Sequence, residues 1–308
     1  MIVKPRAMLM AAVPRTVAIF TSLARAAAAL GAITLVAGCV SITAEPRALL
    51  ERDDGSVVVQ TLRCPSDAAD VLRMSNAPAA TGVDPDAIRI ASWNIHKQLD
   101  NGWQQDLGAL TTRNDVVLLQ EIVLDRAMRE LIDDGHLRWV MASSFLHADV
   151  DIGVLTAARV PALANCTQRV VEPLLRLPKS AVISWFPIKG RSETLAVANV
   201  HAINFSLTLG AYRAQFNALG DALAGHQGPM ILAGDLNTWT AERALAVREV
   251  AERLGLTEVS FPIDHRSAFL GHQLDHIFIR GLALVSSSTA AVRSSDHNPV
   301  AATLRAAK

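Results

Sequence analysis

The chain has 308 residues, of which 51% are hydrophobic and 19% are charged, and its 29 basic residues balance its 29 acidic residues. A chain of this length and apolar content can bury a sizeable core, as one large domain or two average ones. The balanced charge excludes the strongly basic surface with which tight, nonspecific nucleic-acid binders hold their partners.

The N-terminal segment has the features of an export signal. Residues 1–38 contain four basic residues and no acidic residue, and they include the uncharged run AAAALGAITLVAG. This run has the length of a signal-peptide core and is shorter than the roughly 20 residues that a membrane-spanning helix needs. It ends in VAGC, which resembles the lipobox of bacterial lipoproteins and predicts cleavage before Cys39 and lipidation of its thiol. A plain signal peptide, or an uncleaved anchor with an incidental cysteine, is the alternative.

Export has consequences for the rest of the chain. Removal of residues 1–38 leaves 25 basic against 29 acidic residues, a formal net charge of −4. A lipid anchor would hold the chain in the bacterial cell envelope, on the periplasmic or outer side of a membrane. In an oxidising compartment Cys64 and Cys166 are expected to form a disulfide, with two buried free thiols as the alternative. Residues 39–87 are rich in turn-forming and polar residues, and they predict a tether and N-terminal extension before a folded domain at 88–308.

From residue 88 the chain alternates short apolar runs with amphipathic segments. Ten runs predict strands, and they read IRIASWNI, DVVLLQ, WVMASSF, GVLTA, AVISWFPI, TLAVANVHA, MILAGDLN, LDHIFIR, LALVSS and PVAATLR. Two helices are predicted, one over 210–224 with apolar residues at helical spacing and one from an N-cap at Thr240 to Gly255. Ten strands need more than one sheet, so the pattern indicates two packed sheets covered by helices.

Polar residues close many of these apolar runs, where a buried strand favours Val, Ile and Leu. The residues concerned are Asn94, Glu121, His201, Asp235, Asn237, Asp275, Asp296 and His297. Each has its own explanation as a turn or cap residue. Because the ends of stacked strands share a rim, the whole set predicts one polar cleft.

The residue types in this set suit a hard divalent cation. Glu121 and Asp296 offer carboxylate oxygens and Asn94 offers an amide oxygen, which are ligands for Mg²⁺, Mn²⁺ or Ca²⁺. The lack of thiolates argues against structural zinc. Asp235 is placed to accept a proton from water beside such an ion, and Asn237 to donate a hydrogen bond to a phosphate oxygen or to the nucleophile.

The two histidines are predicted to act as cationic donors to developing negative charge, provided that a partner keeps them protonated. For His297 the orienting partner is Asp275. The same residue types would also serve a Ser-His-Asp hydrolase, but the G-x-S-x-G motif that supports one is missing from the sequence.

The motifs WNI, QE, NVH, GDLN, LDHIF and SDHNPV, in this order and spacing over about residues 88–305, resemble the endonuclease/exonuclease/phosphatase superfamily. The resemblance implies a four-layered αββα sandwich and metal-dependent phosphoester hydrolysis by in-line attack of water. It also implies a role for each matching position. These are metal binding for Asn94, Glu121 and Asp296, activation of the nucleophile for Asp235, phosphate contact for Asn237, orientation of the final histidine for Asp275, and catalysis for His297 and His201.

Two features indicate which branch of the superfamily the chain resembles. Abasic-site endonucleases use a tyrosine near the phosphate, whereas the single tyrosine of this chain, Tyr212, lies in a predicted outer helix. The stretch LLRLPKSAVISW resembles an uncharacterised bacterial branch in which a basic residue precedes the strand. Lys179 is therefore a candidate phosphate contact, with an exposed lysine at a strand edge as the alternative.

The expected function is that of a membrane-tethered, monomeric phosphodiesterase or nuclease that uses Mg²⁺ or Mn²⁺. Its substrate would be a nucleic acid, a phospholipid headgroup or a small phosphate ester. A sphingomyelinase-like lipid phosphodiesterase is one alternative. A non-catalytic binding domain on the same fold is the other, although such domains usually show gaps in the acid and histidine set.

Overall fold

The structure is a computed structural model that describes residues 40–52, 54–64, 79–206 and 208–307. The predicted signal segment 1–38 and the predicted lipidation site Cys39 lie outside the described residues. Within the described ranges, every helix is too short or too polar to cross a membrane.

The strands β1 to β17 are Val40–Ser41, Arg47–Glu51, Val57–Gln60, Ile88–Asn94, Val116–Val123, Arg138–His147, Val150–Ala158, Ala164–Val171, Pro178–Pro187, Thr194–His201, Met230–Asp235, Thr257–Glu258, Ala268–Phe269, His272–Gln273, Asp275–Arg280, Leu282–Thr289 and Val300–Ala306. The helices α1 to α4 are Trp103–Arg113, Arg126–Asp134, Gly210–Leu223 and Ala241–Arg253. All ten predicted strands are present, and α3 and α4 are the two predicted helices.

The strands form two large mixed sheets. The first has the order β16-β17-β4-β5-β7-β6-β2-β3, and the second has the order β12-β15-β11-β10-β9-β8. Strands β13 and β14 form a separate short hairpin. Strands β4 and β5 are parallel in the first sheet, and β10 and β11 are parallel in the second. Because parallel strands end at the same edge, each sheet brings two consecutive strand ends together.

Three hydrophobic clusters divide the molecule into four layers. One lies between the sheets and includes Ile90 and Leu118 of the first sheet with Val197 and Ile231 of the second. The second packs α3 and α4 on the outer face of the second sheet. The third packs α1 and α2 on the outer face of the first sheet. The α/β fold predicted from the sequence, a four-layered αββα sandwich, is confirmed.

Part of the N-terminal extension predicted at residues 39–87 forms strands of the first sheet. Strand β2 pairs with β3 and with β6, so it extends the first sheet. Ala48 and Leu49 of β2 are buried. The run SVVVQ, followed by few turn residues, is a β-branched signal that the abundance of polar residues in 39–87 concealed. Part of the predicted extension is therefore edge strand.

Cys64 and Cys166 form a disulfide across a separation of 102 residues. Cys166 lies in β8, and Cys64 lies just after β3. The bond therefore connects the N-terminal extension to the second sheet. The disulfide, and not the alternative of two free thiols, is present.

Candidate active site

Three polar residues lie side by side at one edge of the second sheet. His201 is the register partner of Asp235 across the parallel strands β10 and β11, and Asp235 is the register partner of Asp275 across β11 and β15. Register partners point to the same face of a sheet and lie about 5 Å apart. All three are buried. The neighbouring strands β10, β11 and β15 thus place an imidazole and two carboxylates in one row.

The backbone around Asp235 is shaped for a close approach. Gly234 has φ of 142°, and a Cβ atom at this position would lie 2.0 Å from the carbonyl oxygen of Val200. Only glycine tolerates both conditions. Three residues after Gly234, Asn237 adopts a left-handed φ of 49°. This turn brings the Asn237 backbone N–H to 3.1 Å from Asp235 Oδ1, so the sequence GDLN holds the carboxylate in a fixed orientation.

The side chain of Asn237 is already engaged. Its Nδ2 donates to the carbonyl oxygen of Ala202 at 3.0 Å and lies 3.3 Å from Asp235 Oδ2. Asn94 Nδ2 donates to the same Asp235 oxygen at 3.0 Å. In this structure, therefore, both asparagines orient Asp235. The side-chain amide of Asn237 donates its hydrogen bonds to other groups of the protein.

Burial raises the pKa of Asp235 to about 6, and nearby Asp275 adds to the rise although His297 opposes it. A carboxylate with this pKa is ionised at neutral pH and more basic than an exposed aspartate. Asp235 has the properties that a general base needs.

His297 lies between the two aspartates. Its Nδ1 is 2.8 Å from Asp275 Oδ2 and its Nε2 is 3.8 Å from Asp235 Oδ2. Burial alone would lower the pKa of His297, but the charges of Asp275 and Asp235 outweigh burial and raise it to about 10. The ring is therefore an imidazolium at neutral pH, held by the carboxylate that the sequence analysis assigned to it.

The loop that carries His297 is fastened to the end of β4. Trp93 Nε1 donates to the carbonyl oxygen of His297 at 2.9 Å. Ser295 Oγ donates to the carbonyl oxygen of Asn94 at 2.7 Å and accepts from the His297 N–H at 3.0 Å. These bonds tie the loop to the first sheet, and the contact of His297 with Asp275 joins the loop to the second sheet, so the site spans the rim of both sheets.

Glu121 occupies the other end of the site. It lies in β5, one residue after the last register pair between β4 and β5, and has a left-handed φ of 53°. Lys97 Nζ donates to Glu121 Oε2, and Lys179 Nζ lies 3.6 Å from Glu121 Oε1. Burial alone would raise the pKa of Glu121, but the charges of Lys97, Lys179 and His201 hold it well below its usual range. Glu121 is therefore an anion.

His201 differs from the expectation that it is a cationic donor. Burial and the charge of Lys179 lower the pKa of His201 well below its ordinary value. Lys179 Nζ lies 2.9 Å from His201 Nε2, and an ammonium can only donate, so Nε2 accepts. His201 is therefore assigned as a neutral imidazole that accepts a hydrogen bond from Lys179. Of the two histidines predicted to be cationic donors, only His297 is an imidazolium.

Lys179 is not an exposed lysine at a strand edge, which was the alternative to a phosphate contact. Its side chain is 15% exposed and lies within reach of Glu121 and His201. Its ammonium group is therefore part of the site.

The three predicted metal-site residues lie on the rim of the first sheet. Asn94 Oδ1 accepts from the His96 N–H at 3.1 Å and keeps a second lone pair. The Asp296 side chain is 60% exposed, and its Oδ1 is 3.9 Å from His96 Nδ1. Together with Glu121 they offer hard oxygen donors that fit Mg²⁺ or Mn²⁺.

A second group of close donors consists of Asp235, Asp275 and His297, whose ligand atoms lie within 4.8 Å of one another. A protonated imidazole has no lone pair for a metal, so this group suits acid–base chemistry better than ion binding. Among the described residues, Asp275 Oδ1 is buried without a hydrogen-bond partner. That oxygen is free to receive a hydrogen bond from a bound molecule.

Lys97 belongs to the site and was not singled out from the sequence. The motif WNIHK places it three residues after Asn94, close enough to the end of β4 to be a signal. Nothing in the sequence, however, shows the left-handed turn that directs its side chain to Glu121.

Comparisons with known proteins agree with this geometry. The sequence profile of the Endonuclease/Exonuclease/phosphatase family matches residues 91–297. A UPF0294 protein of Yersinia pseudotuberculosis is 39% identical over 213 residues, covering 69% of this chain and 82% of that protein. One of Vibrio parahaemolyticus is 35% identical over 249 residues, covering 80% and 84%. These relatives confirm the predicted bacterial branch.

Solved structures show the same fold. The human nocturnin catalytic domain with bound sulfate anion matches with a TM-score of 0.56 at 18% identity, covering 73% of this chain and 96% of that one. An endonuclease/exonuclease/phosphatase from Bacteroides vulgatus matches with a TM-score of 0.53 at 17% identity, covering 71% and 99%. The chain belongs to the endonuclease/exonuclease/phosphatase family, whose members are hydrolases of phosphoester bonds.

Proposed function

We propose that this chain is a phosphodiesterase or nuclease that depends on Mg²⁺ or Mn²⁺ and hydrolyses its substrate by in-line attack of water. One observation carries the proposal. A basic carboxylate, Asp235, and an imidazolium, His297, face each other with Asp235 Oδ2 and His297 Nε2 3.8 Å apart. One group accepts a proton and the other donates to negative charge, which is the division of labour that phosphoester hydrolysis needs.

In this proposal Asp235 accepts the proton of the attacking water. Its orientation is fixed by the backbone N–H of Asn237 and the side chain of Asn94. His297 donates to a phosphate oxygen, and Asp275 keeps it charged and oriented. Lys179 adds a second positive group that can contact the phosphate.

Asn94, Glu121 and Asp296 would hold the divalent ion. When bound, the ion supplies positive charge to the phosphate oxygens. Carboxylate and amide oxygens are the donors that Mg²⁺ accepts while keeping water in its remaining positions. The exposure of Asp296 leaves room for that water.

The substrate class is proposed as a phosphodiester, which a nucleic acid, a phospholipid headgroup or a small phosphate ester can supply. The sulfate anion in the nocturnin structure supports an anion site on this fold. A non-catalytic binding domain is disfavoured because the described site retains every acid, amide and histidine of the set.

The test is hydrolysis of plasmid DNA, RNA, sphingomyelin and bis-p-nitrophenyl phosphate by the purified protein with Mg²⁺ or Mn²⁺. Asp235→Asn and His297→Gln are each expected to lower the rate about 10²-fold or more, because each removes a group that acts in the transition state. His147→Gln is the matched control, since His147 is exposed at the end of β6. Activity that survives in chelator or in both variants would contradict the proposal.

We also propose that the chain is exported, lipid-anchored at Cys39 and monomeric. The lipobox-like VAGC and the disulfide between Cys64 and Cys166 support an oxidising compartment outside the cytoplasm. Cells grown with labelled palmitate should label the wild type but not Cys39→Ser. Recovery of Cys39→Ser in the membrane fraction with its label intact would refute the anchor, and gel filtration of the detergent-free Cys39→Ser chain would test the monomer.

A further inference from the structure

The turn that follows Asn94 has an unusual backbone. His96, Lys97 and Gln98 have φ of 50°, 55° and 58°. Three successive non-glycine residues in the left-handed region cost free energy, and such segments persist only where surrounding contacts dictate them. The turn therefore has to be held in place by its neighbours.

Contacts on both sides of Lys97 hold it. Gln98 Nε2 donates to the Val123 carbonyl oxygen at 3.0 Å, and its Oε1 accepts from the Val123 N–H at 2.6 Å. His96 Nδ1 lies 2.7 Å from Asp100 Oδ2. The turn is thus clamped to the end of β5, which is the strand that carries Glu121.

The clamp presents Lys97 to Glu121. Lys97 Nζ donates to Glu121 Oε2, whereas Lys179 Nζ is 3.6 Å from the other oxygen and is shared with His201 at 2.9 Å. The Lys97 side chain is 37% exposed and the Lys179 side chain is 15% exposed. Lys97 is therefore the ammonium at the open side of Glu121, where an ion or substrate would arrive.

We propose that Lys97 is a built-in cation of the site, which competes with a divalent ion for Glu121 and weakens the binding of that ion. The inference rests on the proposed metal-dependent function and adds to it a residue that sets the affinity for the ion. Lys97 Nζ donates to Glu121 Oε2, so an ion that binds through this oxygen has to displace the ammonium group.

The experiment is a calorimetric titration of the full chain with Mn²⁺ alone, without substrate. Wild type should bind Mn²⁺ with a measurable affinity. Lys97→Met should bind Mn²⁺ at least about tenfold more tightly, because a positive charge next to the ligand oxygen is lost. Lys97→Arg keeps the charge and should behave as wild type. So should Lys189→Met, which makes the same substitution at an exposed lysine.

Lys97→Gln repeats the charge loss with a polar side chain, and thermal unfolding of each variant checks that it is folded. Unchanged affinity in both Lys97→Met and Lys97→Gln would overturn the role of Lys97 and leave the proposed function standing. A wild type that binds no Mn²⁺ would overturn both proposals.

Discussion

The pair formed by Asp275 and His297 can be tested directly in the metal-free protein. The rise of the His297 pKa from 6.5 to about 10 corresponds to ~5 kcal/mol, at ~1.4 kcal/mol for each pH unit. Asp275 is the largest contributor that raises it, at a distance of 2.8 Å between Nδ1 and Oδ2. Asp275→Asn removes that charge and leaves the burial, so the pKa of His297 should fall by about two units or more.

The assay is an NMR titration of protein labelled in its histidine rings, with the His297 signal assigned by His297→Gln. In the wild type His297 should remain protonated from pH 6 to pH 8.5, whereas in Asp275→Asn it should titrate within that range. Asp134→Asn makes the same change at an exposed position and should leave the signal unmoved. A wild-type His297 that titrates below pH 7.5, or one that Asp275→Asn leaves unaltered, would refute the reasoning.

The same pair links stability to pH. The pKa of His297 is higher in the folded chain than in the unfolded chain, so the stabilisation by the charged ring is complete below pH 6.5. It is lost as the pH rises to about 10. The difference in melting temperature between wild type and Asp275→Asn should therefore narrow between pH 6.5 and pH 10.

Further predictions concern the scaffold of the site. Gly234→Ala should lower the free energy of unfolding by about 3 kcal/mol or more, because the new Cβ would lie 2.0 Å from the Val200 carbonyl oxygen. Gly108→Ala should instead raise the free energy of unfolding by roughly 0.5–1 kcal/mol, because no atom lies within 4 Å of its Cβ position. Urea unfolding of both variants measures the two effects. Reduction of the bond between Cys64 and Cys166, which are 102 residues apart, should cost about 2–5 kcal/mol of stability. A urea midpoint unchanged by reductant would contradict this, and the double Cys→Ser variant should be insensitive to reductant.

The predictable part of the fold is the part with strong periodicity. The ten predicted strands and α3 and α4 have continuous apolar runs or clear helical faces, and all are present. Helix α1 was not predicted, because it contains Gly108 and Thr111 and begins after Gly102 without a side-chain cap. Helix α2 is short, and only Met128 and Ile132 are buried on it. Such helices are stabilised mainly by packing on a face of the sheet, and this packing cannot be read from their own sequence.

The predictable part of the site is likewise the part carried by strand ends. The row of His201, Asp235 and Asp275 follows from strand order and register, and the pairing of Asp275 with His297 was expected from their charges. The charge state of His201 was not predictable, because the lysine that lowers its pKa comes from strand β9 and meets it only in the fold. A single residue type does not reveal whether its partner is an acid or a base.

The left-handed backbone conformations of the site were not predicted from the sequence. Glu121, Asn237 and the turn around Lys97 all adopt positive φ without being glycine, at a cost of about 1–2 kcal/mol per residue. Asn adopts this conformation more readily than most residues, but Glu121, Lys97 and Gln98 have no local preference for it. Tertiary contacts such as the bonds between Gln98 and Val123 must offset the cost. Glu121 adopts the conformation inside β5, where the pairing with β7 shifts in register. The backbone conformations that direct Glu121 and Lys97 into the site are therefore not favoured by the local sequence. For this reason the role of Lys97 can be recognised only in the folded chain.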